Sequence, residues 1–293
     1  MALSNTPIRA SNHPTASLSE PQPFDRDLEF NQADFERVRR LIHERVGIDL
    51  HPSKQNMVYS RLSRRLRERG HLTFRSYLDG VQSGNDTDWQ EFVNSLTTNL
   101  TSFYREAHHF DVLAERLRHI RSGEVARIWC CAASTGEEPY SIAMTATEAR
   151  VGSASAVVHA SDVDTEVLAT AERGVYSLES VAALSEARLR RFFLKGSGVN
   201  AGKVRVKPEL RSMVTFRPFN LLTNDWRMEP YDIVFCRNVM IYFDRPTQRR
   251  VLEGLHACLK PGGLLMVGHS ENFGDHRDLF QLSGKTVYLR IGA

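Results

Sequence analysis

The chain has 293 residues, of which 41% are hydrophobic and 25% charged, and this balance excludes a largely disordered protein. Its 38 basic and 35 acidic side chains leave a formal net charge of +3, which excludes a strongly polycationic protein but not local basic patches. The length predicts about two domains.

The four cysteines indicate buried, reduced thiols, because none of them belongs to a CxxC pair that would suggest a zinc site or a redox motif. No apolar run approaches the roughly 18 residues needed to span a bilayer. The N-terminus also lacks the hydrophobic segment of a secretory signal. We therefore predict a cytoplasmic protein with no membrane insertion and no metal centre.

The N-terminal third of the chain is predicted to be helical. Residues 1–29 carry four prolines and few large apolar side chains, so we expect a disordered tail there. No strand alternation occurs before residue 124, and residues 30–100 are predicted to form a small all-helical domain. Its four helices are expected between Asn31 and Gly47 and over Pro52–Arg69, Phe74–Gln82 and Asp88–Thr98.

Residues 101–293 show short apolar runs separated by helical stretches, which predicts an α/β domain with a parallel sheet covered on both faces. In such sheets ligands bind beyond the carboxyl ends of the strands. The last predicted strand alternates and is expected at the edge side of the sheet. The strands are predicted at 125–132, 156–160, 213–216, 231–236, 264–267 and 286–291.

One segment interrupts this α/β pattern. Residues 193–206 contain three glycines followed by a Lys/Val/Arg/Val alternation. This pattern predicts a β-hairpin insertion at about residues 190–210, although a plain surface loop has the same composition.

Polar motifs follow the first two predicted strands. Ala133–Ser141 (ASTGEEPYS) is a turn of small residues leading into a helix, as in nucleotide-binding sites, but Glu137 and Glu138 stand where a phosphate would bind. These carboxylates either favour a cationic, hydroxyl-rich ligand such as S-adenosylmethionine or only complement the helix dipole. Asp162 ends the second strand and is suited to ribose hydroxyls, whereas Asp164 is better placed to cap the next helix.

Five blocks of the sequence together resemble the signature motifs of chemotaxis receptor protein-glutamate O-methyltransferases, the CheR family. They occur in the family's order and, with the helical domain, cover residues 30–290. The resemblance implies a class I, Rossmann-like methyltransferase domain that uses S-adenosylmethionine, preceded by a helical substrate-docking domain. Tyr104 is a departure, since phenylalanine is common there. The blocks are Asn99–Glu106, Ala133–Ser141, Ser161–Asp164, Phe219–Leu222 and Cys236–Asp244.

The resemblance also assigns roles to residues within these blocks. It places Arg105 and Tyr242 beside the reacting carboxylate as catalytic residues. It implies that Glu137 lies near the amino-acid end of the cofactor, Asp162 at the ribose and Leu221 at the adenine. The full set of implied cofactor-binding residues is Asn99, Thr101, Arg105, Glu137, Asp162, Asn220, Leu221, Arg237 and Asn238.

The expected chemistry is direct methyl transfer from a sulfonium to a glutamate side-chain oxygen. A glutamate ionises near pH 4.3, so the acceptor is already a carboxylate at neutral pH and no general base is needed. The enzyme's contribution is then positioning and electrostatics. Arg105 is expected to hold the carboxylate and Tyr242 to orient it by a hydrogen bond.

Partner binding is expected at two places. Residues 34–80 contain eleven basic and six acidic side chains, a local charge of +5, so the rest of the chain sums to −2. Arg61, Arg64 and Arg65 lie off the apolar stripe of the second helix, on either a solvated face or a docking surface for an acidic receptor helix.

The second place is the predicted hairpin. Family members with a long glycine-rich loop dock a tethering peptide from the receptor's C-terminus, and the resemblance implies the same use of Gly196, Gly198 and Gly202 here. Arg205 would then pair with a carboxylate of that peptide. A purely structural role for the loop stays open.

Two other classes of function remain open at this point. A nucleic-acid methyltransferase would use the same basic helices, but Arg237-Asn238-Val239 replaces the Pro-Pro-aromatic sequence expected for attack by base nitrogens. A non-catalytic, cofactor-binding scaffold would not require Arg105 and Tyr242, so their presence argues against it.

Overall fold

A computed structural model describes residues 28–121, 123–149 and 155–292. The predicted disordered tail at 1–29 therefore lies outside the described residues except for its last two positions. None of the described helices is both long enough and apolar enough to cross a membrane.

The N-terminal part is helical, and each predicted helix is confirmed to within three residues at either end. Asn31 and Asp34 cap the start of the first helix reciprocally, and Gly47 ends it with a left-handed φ of 77°. The apolar faces pack into one buried cluster that includes Phe35 and Leu62. The helices are α1 (Gln32–Val46), α2 (Gln55–Glu68, preceded by a 3-10 turn at Pro52–Lys54), α3 (Phe74–Ser83) and α4 (Asp86–Leu96).

The rest of the chain contains ten strands and six helices in the described ranges. The strands are β1 (Val125–Cys130), β2 (Ser155–Asp162), β3 (Val175–Ser177), β4 (Phe193–Lys195), β5 (Lys203–Val206), β6 (Val214–Pro218), β7 (Tyr231–Cys236), β8 (Leu259–Val267), β9 (Phe280–Gly284) and β10 (Val287–Arg290). The helices are α5 (His108–Arg118), α6 (Glu137–Ala149), α7 (Thr165–Arg173), α8 (Glu186–Phe192), α9 (Pro208–Arg211) and α10 (Arg245–Cys258).

The main sheet has seven strands in the order β6-β2-β1-β7-β8-β10-β9. Its first five strands are parallel, as predicted, while β10 and β9 run antiparallel. The expected edge position of the last strand is wrong, because β9 pairs with the outer side of β10. Four of the five β9 residues are exposed, and the apolar alternation of this strand is limited to Phe280 and Leu282, which is too short to predict it.

Both faces of the main sheet are covered. Ile128 belongs to the cluster that packs under α5 and α6, whereas Trp129, the next residue of β1, belongs to the cluster under α10. This alternation explains why the central strands are continuous apolar runs. All four cysteines are buried and unpaired, as predicted.

The predicted hairpin insertion is confirmed as part of a separate three-stranded sheet with the order β3-β5-β4. β4 and β5 pair antiparallel, with Phe193 opposite Val206. β3 occupies the other edge of β5, so the free edge of the hairpin belongs to β4 alone.

Candidate active site

A cavity of about 360 Å³ lies beyond the carboxyl ends of β1, β2 and β7, between the main sheet and the helical domain. Its size falls within the range of small-molecule sites, about 300–1,000 Å³. The two domains are joined beside it, where the backbone N–H of Asp49 donates to the carbonyl of Tyr242 at 2.8 Å. Eight of the residues predicted for the cofactor or the chemistry line this cavity: Asn99, Thr101, Arg105, Asp162, Leu221, Arg237, Asn238 and Tyr242.

Asp162 lies at the end of β2, and its carboxylate accepts hydrogen bonds from two backbone N–H groups. Its Oδ2 accepts from the N–H of Ser134 at 2.8 Å and its Oδ1 from the N–H of Asp164 at 3.0 Å. Burial raises the pKa of this carboxyl to about 6, although both hydrogen bonds act in the opposite direction. Each oxygen keeps a free lone pair, so the group can still accept from hydroxyls in the cavity.

The turn after β1 needs its small residues for packing as well as for ligand approach. Gly136 has a φ of 99°, and a Cβ there would lie 2.7 Å from the Tyr176 hydroxyl and 2.8 Å from the Ala171 Cβ. The same hydroxyl donates to the carbonyl of Thr135 at 2.8 Å. The turn is therefore held rigidly against α7 and β3.

The two glutamates after this turn differ in position. Glu138 lines the cavity, where Arg237 and the thiol of Cys130 contact its carboxylate. Glu137 does not line the cavity; it accepts from the Thr135 hydroxyl at 2.7 Å, and burial raises the pKa of Glu137. Of these two glutamates, Glu138 lines the cavity, whereas Glu137, for which the role at the cofactor was predicted, does not.

Two further predicted residues are engaged by neighbouring segments. Asn220 donates to the carbonyl of Arg45 at 2.8 Å and lines an adjacent cleft instead of the main cavity. Asn99 donates to Asp164 at 2.8 Å, and Asp164 caps α7 by accepting from the N–H groups of residues 166 and 167, as predicted. Asn99 therefore ties the linker between the domains to the start of α7.

Arg237 is the centre of a buried charge network. Its side chain is 1% exposed and pairs with Glu138 and with Glu106, the latter at 3.2 Å. It also donates to the carbonyl of Arg105 at 2.6 Å. A buried guanidinium needs such partners, since an unpaired buried charge costs several kcal/mol. Arg237 therefore fixes the segment that carries Arg105.

Glu271 was not predicted, yet it holds the whole loop that follows β7. Its carboxylate accepts four backbone N–H groups, from Asn238 (2.9 Å), Val239 (3.0 Å), Met240 (2.8 Å) and Gly268 (2.5 Å). Burial raises the pKa of Glu271, while the four bonds oppose that rise. The only sequence signal is an acid shortly after an apolar strand, which by itself names no partner.

Arg105 and Tyr242 are brought to the same cavity from distant parts of the chain. Arg105 donates to the carbonyl of Leu100 at 2.9 Å and is flanked by two residues with left-handed backbone, Tyr104 (φ 54°) and Glu106 (φ 55°). The Arg188 guanidinium packs 4.0 Å from the centre of the Tyr104 ring. These contacts hold the backbone of Arg105 in one conformation.

The three arginines of α2 have different environments. Arg61 donates to the carbonyls of Leu96 (3.0 Å) and Thr97 (2.7 Å). Arg65 pairs with Glu166 on α7 at 2.5 Å. Both therefore hold intramolecular contacts, whereas the Arg64 side chain is 82% exposed and, within the described part of the chain, pairs only with its helical neighbour Glu68.

Comparison with known proteins decides the family. The chain matches the family model described as "CheR methyltransferase, SAM binding domain" over residues 99–289 and "CheR methyltransferase, all-alpha domain" over residues 33–97. The chain belongs to the CheR methyltransferase family. This CheR protein is therefore a methyltransferase, and its cofactor is S-adenosylmethionine.

Relatives of this CheR protein align over nearly its whole length. A chemotaxis protein methyltransferase of Klebsiella aerogenes is 48% identical over 97% of this chain and 96% of its own. One of Escherichia coli is 50% identical over 89% and 92%, and chemotaxis protein methyltransferase 2 of Pseudomonas aeruginosa is 48% identical over 92% and 98%.

The cavity suits this cofactor chemically. The oxygens of Asp162 can accept from ribose hydroxyls, and the apolar side chains of Val163, Phe219 and Leu221 provide a wall for a purine. Glu138 and Asp162 both line the cavity and provide carboxylate oxygens that can accept hydrogen bonds from hydroxyl or ammonium groups. Among the described residues, no group of three or more His, Cys, Asp or Glu side chains is arranged to hold a metal ion.

Proposed function

We propose that this CheR enzyme methylates glutamate side chains of chemotaxis receptors, forming the methyl esters used in sensory adaptation. The observation that carries the proposal is the state of the two cavity arginines. Arg237 is neutralised by two glutamates, whereas Arg105 forms no ion pair with any described residue. Arg105 is thus available to bind an acceptor carboxylate. The cytoplasmic location expected from the sequence stays a prediction.

In the proposed mechanism, bound S-adenosylmethionine supplies an electrophilic methyl group on its sulfonium. Asp162 binds the ribose hydroxyls, and Leu221 packs against the adenine. Arg105 holds the acceptor carboxylate and Tyr242 orients it. Because the carboxylate is already ionised, the residues need only to align it and to exclude water.

The role of Asp162 predicts a pH-dependent cofactor affinity. Because its pKa is raised to about 6, the carboxyl gains a proton as the pH falls through that value and loses acceptor strength. The Kd of S-adenosylhomocysteine, measured by calorimetry, should rise between pH 7.5 and pH 5.5. Asp162→Asn should weaken binding about tenfold to a hundredfold at pH 7.5 and flatten the profile.

A control for this experiment is Asp232→Asn, which alters a carboxylate that accepts from the N–H of Arg127 at the opposite end of the strands. This variant should bind the cofactor product as the wild type does. A flat wild-type profile, or wild-type affinity in Asp162→Asn, would contradict the ribose-binding role.

Receptor docking on α2 is best tested at Arg64, because its exposed side chain can be changed without breaking contacts between helices. Arg64→Glu should lower the rate of receptor methylation about twofold to fivefold at low salt, and the difference should shrink as salt screens the interaction. Arg121→Glu is the matched control, since Arg121 is 84% exposed and also pairs with a nearby glutamate. Equal rates for the two variants at low salt would rule out docking through Arg64.

Docking of a tethering peptide on β4 is supported by its hydrogen-bond register. The N–H of Gly196 donates to Lys203 and that of Lys207 to Phe192. Since paired residues alternate along an antiparallel ladder, the backbone N–H and C=O groups of Lys195 point away from β5. Gly196 is required at the turn, where a Cβ would lie 2.1 Å from the carbonyl oxygen of Asn200.

This edge can be tested without disturbing the hairpin ladder. Lys195→Pro removes the outward N–H and should weaken binding of a labelled peptide carrying the receptor's C-terminal sequence, measured by fluorescence anisotropy. Lys195→Ala keeps the N–H and should bind nearly as the wild type does. If both variants bind alike, strand addition at β4 is excluded. Arg205, exposed on β5, would supply a charge to such a peptide.

A further inference from the structure

Two strongly exposed apolar side chains stand at the mouth of the active-site cavity. Leu100 is 79% exposed and Ile241 is 48% exposed, and both line the cavity. They come from different parts of the chain, the linker between α4 and α5 and the 3-10 turn that follows β7. Single exposed apolar residues are common on proteins, but two at one cavity mouth form a patch that another molecule can cover.

The backbone segments that carry both side chains are fixed by hydrogen bonds. The carbonyl of Leu100 accepts from Arg105 at 2.9 Å. The turn that carries Ile241 is fixed at Met240, whose N–H donates to Glu271 at 2.8 Å and whose carbonyl accepts from Gln248 at 2.9 Å. A molecule that covers these side chains would therefore gain free energy from apolar burial, and the enzyme's backbone would lose little conformational entropy.

The helical domain contributes polar side chains to the cavity lining. Asp49, His51 and Lys54 of the helical domain line the cavity and are exposed. The charges of Asp49 and Lys54 offset each other, so the exposed apolar side chains of Leu100 and Ile241 are the feature of the mouth that a partner would cover. A segment that carries apolar side chains beside its acceptor glutamate would complement this mouth.

We infer that Leu100 and Ile241 form an apolar rim that binds the receptor segment around the acceptor glutamate, and so favours glutamates with apolar neighbours. The inference rests on the proposed function. A glutamate has only two methylene groups between its Cα and its carboxyl group, so the receptor backbone must come to the mouth for the carboxylate to reach Arg105. Side chains next to that glutamate then cover the rim.

The test compares methylation kinetics of Leu100→Ser and Ile241→Ser with the wild type, using membranes that contain the receptor. Each variant should raise the KM for receptor about tenfold, as expected for losing roughly half the burial energy of a large aliphatic side chain. The kcat and the Kd of S-adenosylhomocysteine should stay within about twofold. Leu100→Met keeps an apolar side chain and should stay near the wild-type KM.

Leu282→Ser is the matched control, because Leu282 is 61% exposed on the edge strand β9 and does not line the cavity. A receptor KM in the rim variants equal to that of Leu282→Ser would overturn the inference. So would a loss of cofactor affinity, which would make the rim part of the cofactor site. If the wild type itself leaves the receptor unmethylated, the proposed function fails, and that result is distinct from a failure of the rim.

A receptor-side experiment provides an independent readout. Changing the apolar residues beside the acceptor glutamate to serine should raise the KM of the wild-type enzyme by a similar factor. The same change should add little to the defect of Leu100→Ser, since the contact is already lost. Full additivity of the two defects would contradict a direct contact.

Discussion

Arg105→Ala is expected to lower the kcat of receptor methylation about a hundredfold to a thousandfold, with less than about a tenfold change in the Kd of S-adenosylhomocysteine. Arg105 lines the cavity, and no described residue neutralises its charge. Its removal would leave the acceptor carboxylate without a cation to hold it in line with the methyl group. Stopped-time radiolabel assays at saturating receptor and cofactor measure the kcat directly.

Two variants separate this catalytic role from a merely structural one. Arg105→Lys keeps the charge but not the planar fork, and it should recover only part of the rate. Arg116→Ala removes a guanidinium that likewise donates to a backbone carbonyl, that of Gly262 at 3.2 Å, but lies away from the cavity. It should leave the kcat unchanged. A defect of Arg105→Ala confined to cofactor affinity would refute the assigned role.

Glu271→Ala is expected to lower the free energy of unfolding by about 3–5 kcal/mol and to reduce kcat strongly. The substitution leaves four N–H groups without their acceptor, two of them buried and two part-buried, and each unsatisfied buried group costs about 1 kcal/mol or more. Three of those groups belong to the loop that carries Asn238 and leads to Tyr242. Urea denaturation monitored by circular dichroism gives the stability, and initial rates give kcat.

Glu271→Gln tests whether the stability loss comes from the lost hydrogen-bond acceptors. Its single amide oxygen can accept from two of the four N–H groups, while its NH₂ group faces the other two, so about half of the stability loss should remain. Glu253→Ala is the control, because Glu253 forms only an exposed pair with Arg249 and should change stability by less than 1 kcal/mol. A stability of Glu271→Ala within 1 kcal/mol of the wild type would show that the loop is held by other contacts.

Local patterns account for most of the fold. The capping residue Asn31, the terminal Gly47 and the apolar runs of the central strands each satisfy a rule that acts over a few residues. The prediction of strands fails where the local sequence pattern is too short or too weak for these rules to apply. β3 has only three residues, and β9 alternates only at Phe280 and Leu282, so both segments are too short for a period to be recognised.

The residues of the site that belong to sequence motifs could be predicted. Asp162, Arg105 and Tyr242 lie in blocks that resemble the family, and all three line one cavity. Glu106 and Glu271 were missed because most of their partners lie more than thirty positions away, in segments that only the fold brings close.

The same limit applies to the basic face of α2. A helical wheel places Arg61 and Arg65 away from the apolar stripe, which predicts exposure. The structure instead packs that face against the end of α4 and against α7, so the two guanidinium groups bond within the molecule. Which polar face of a helix meets another domain cannot be read from the helix alone.

The most direct test of the account is the chemical identity of the methylated group. The enzyme should transfer label from S-adenosyl-[methyl-³H]methionine to receptors in membranes, with base releasing the label as methanol, as expected for a glutamate methyl ester. Labelling should disappear when the receptor's acceptor glutamates are replaced by alanine, and added RNA should stay unlabelled. Label in RNA, or receptor labelling that survives both base and the loss of those glutamates, would contradict the account.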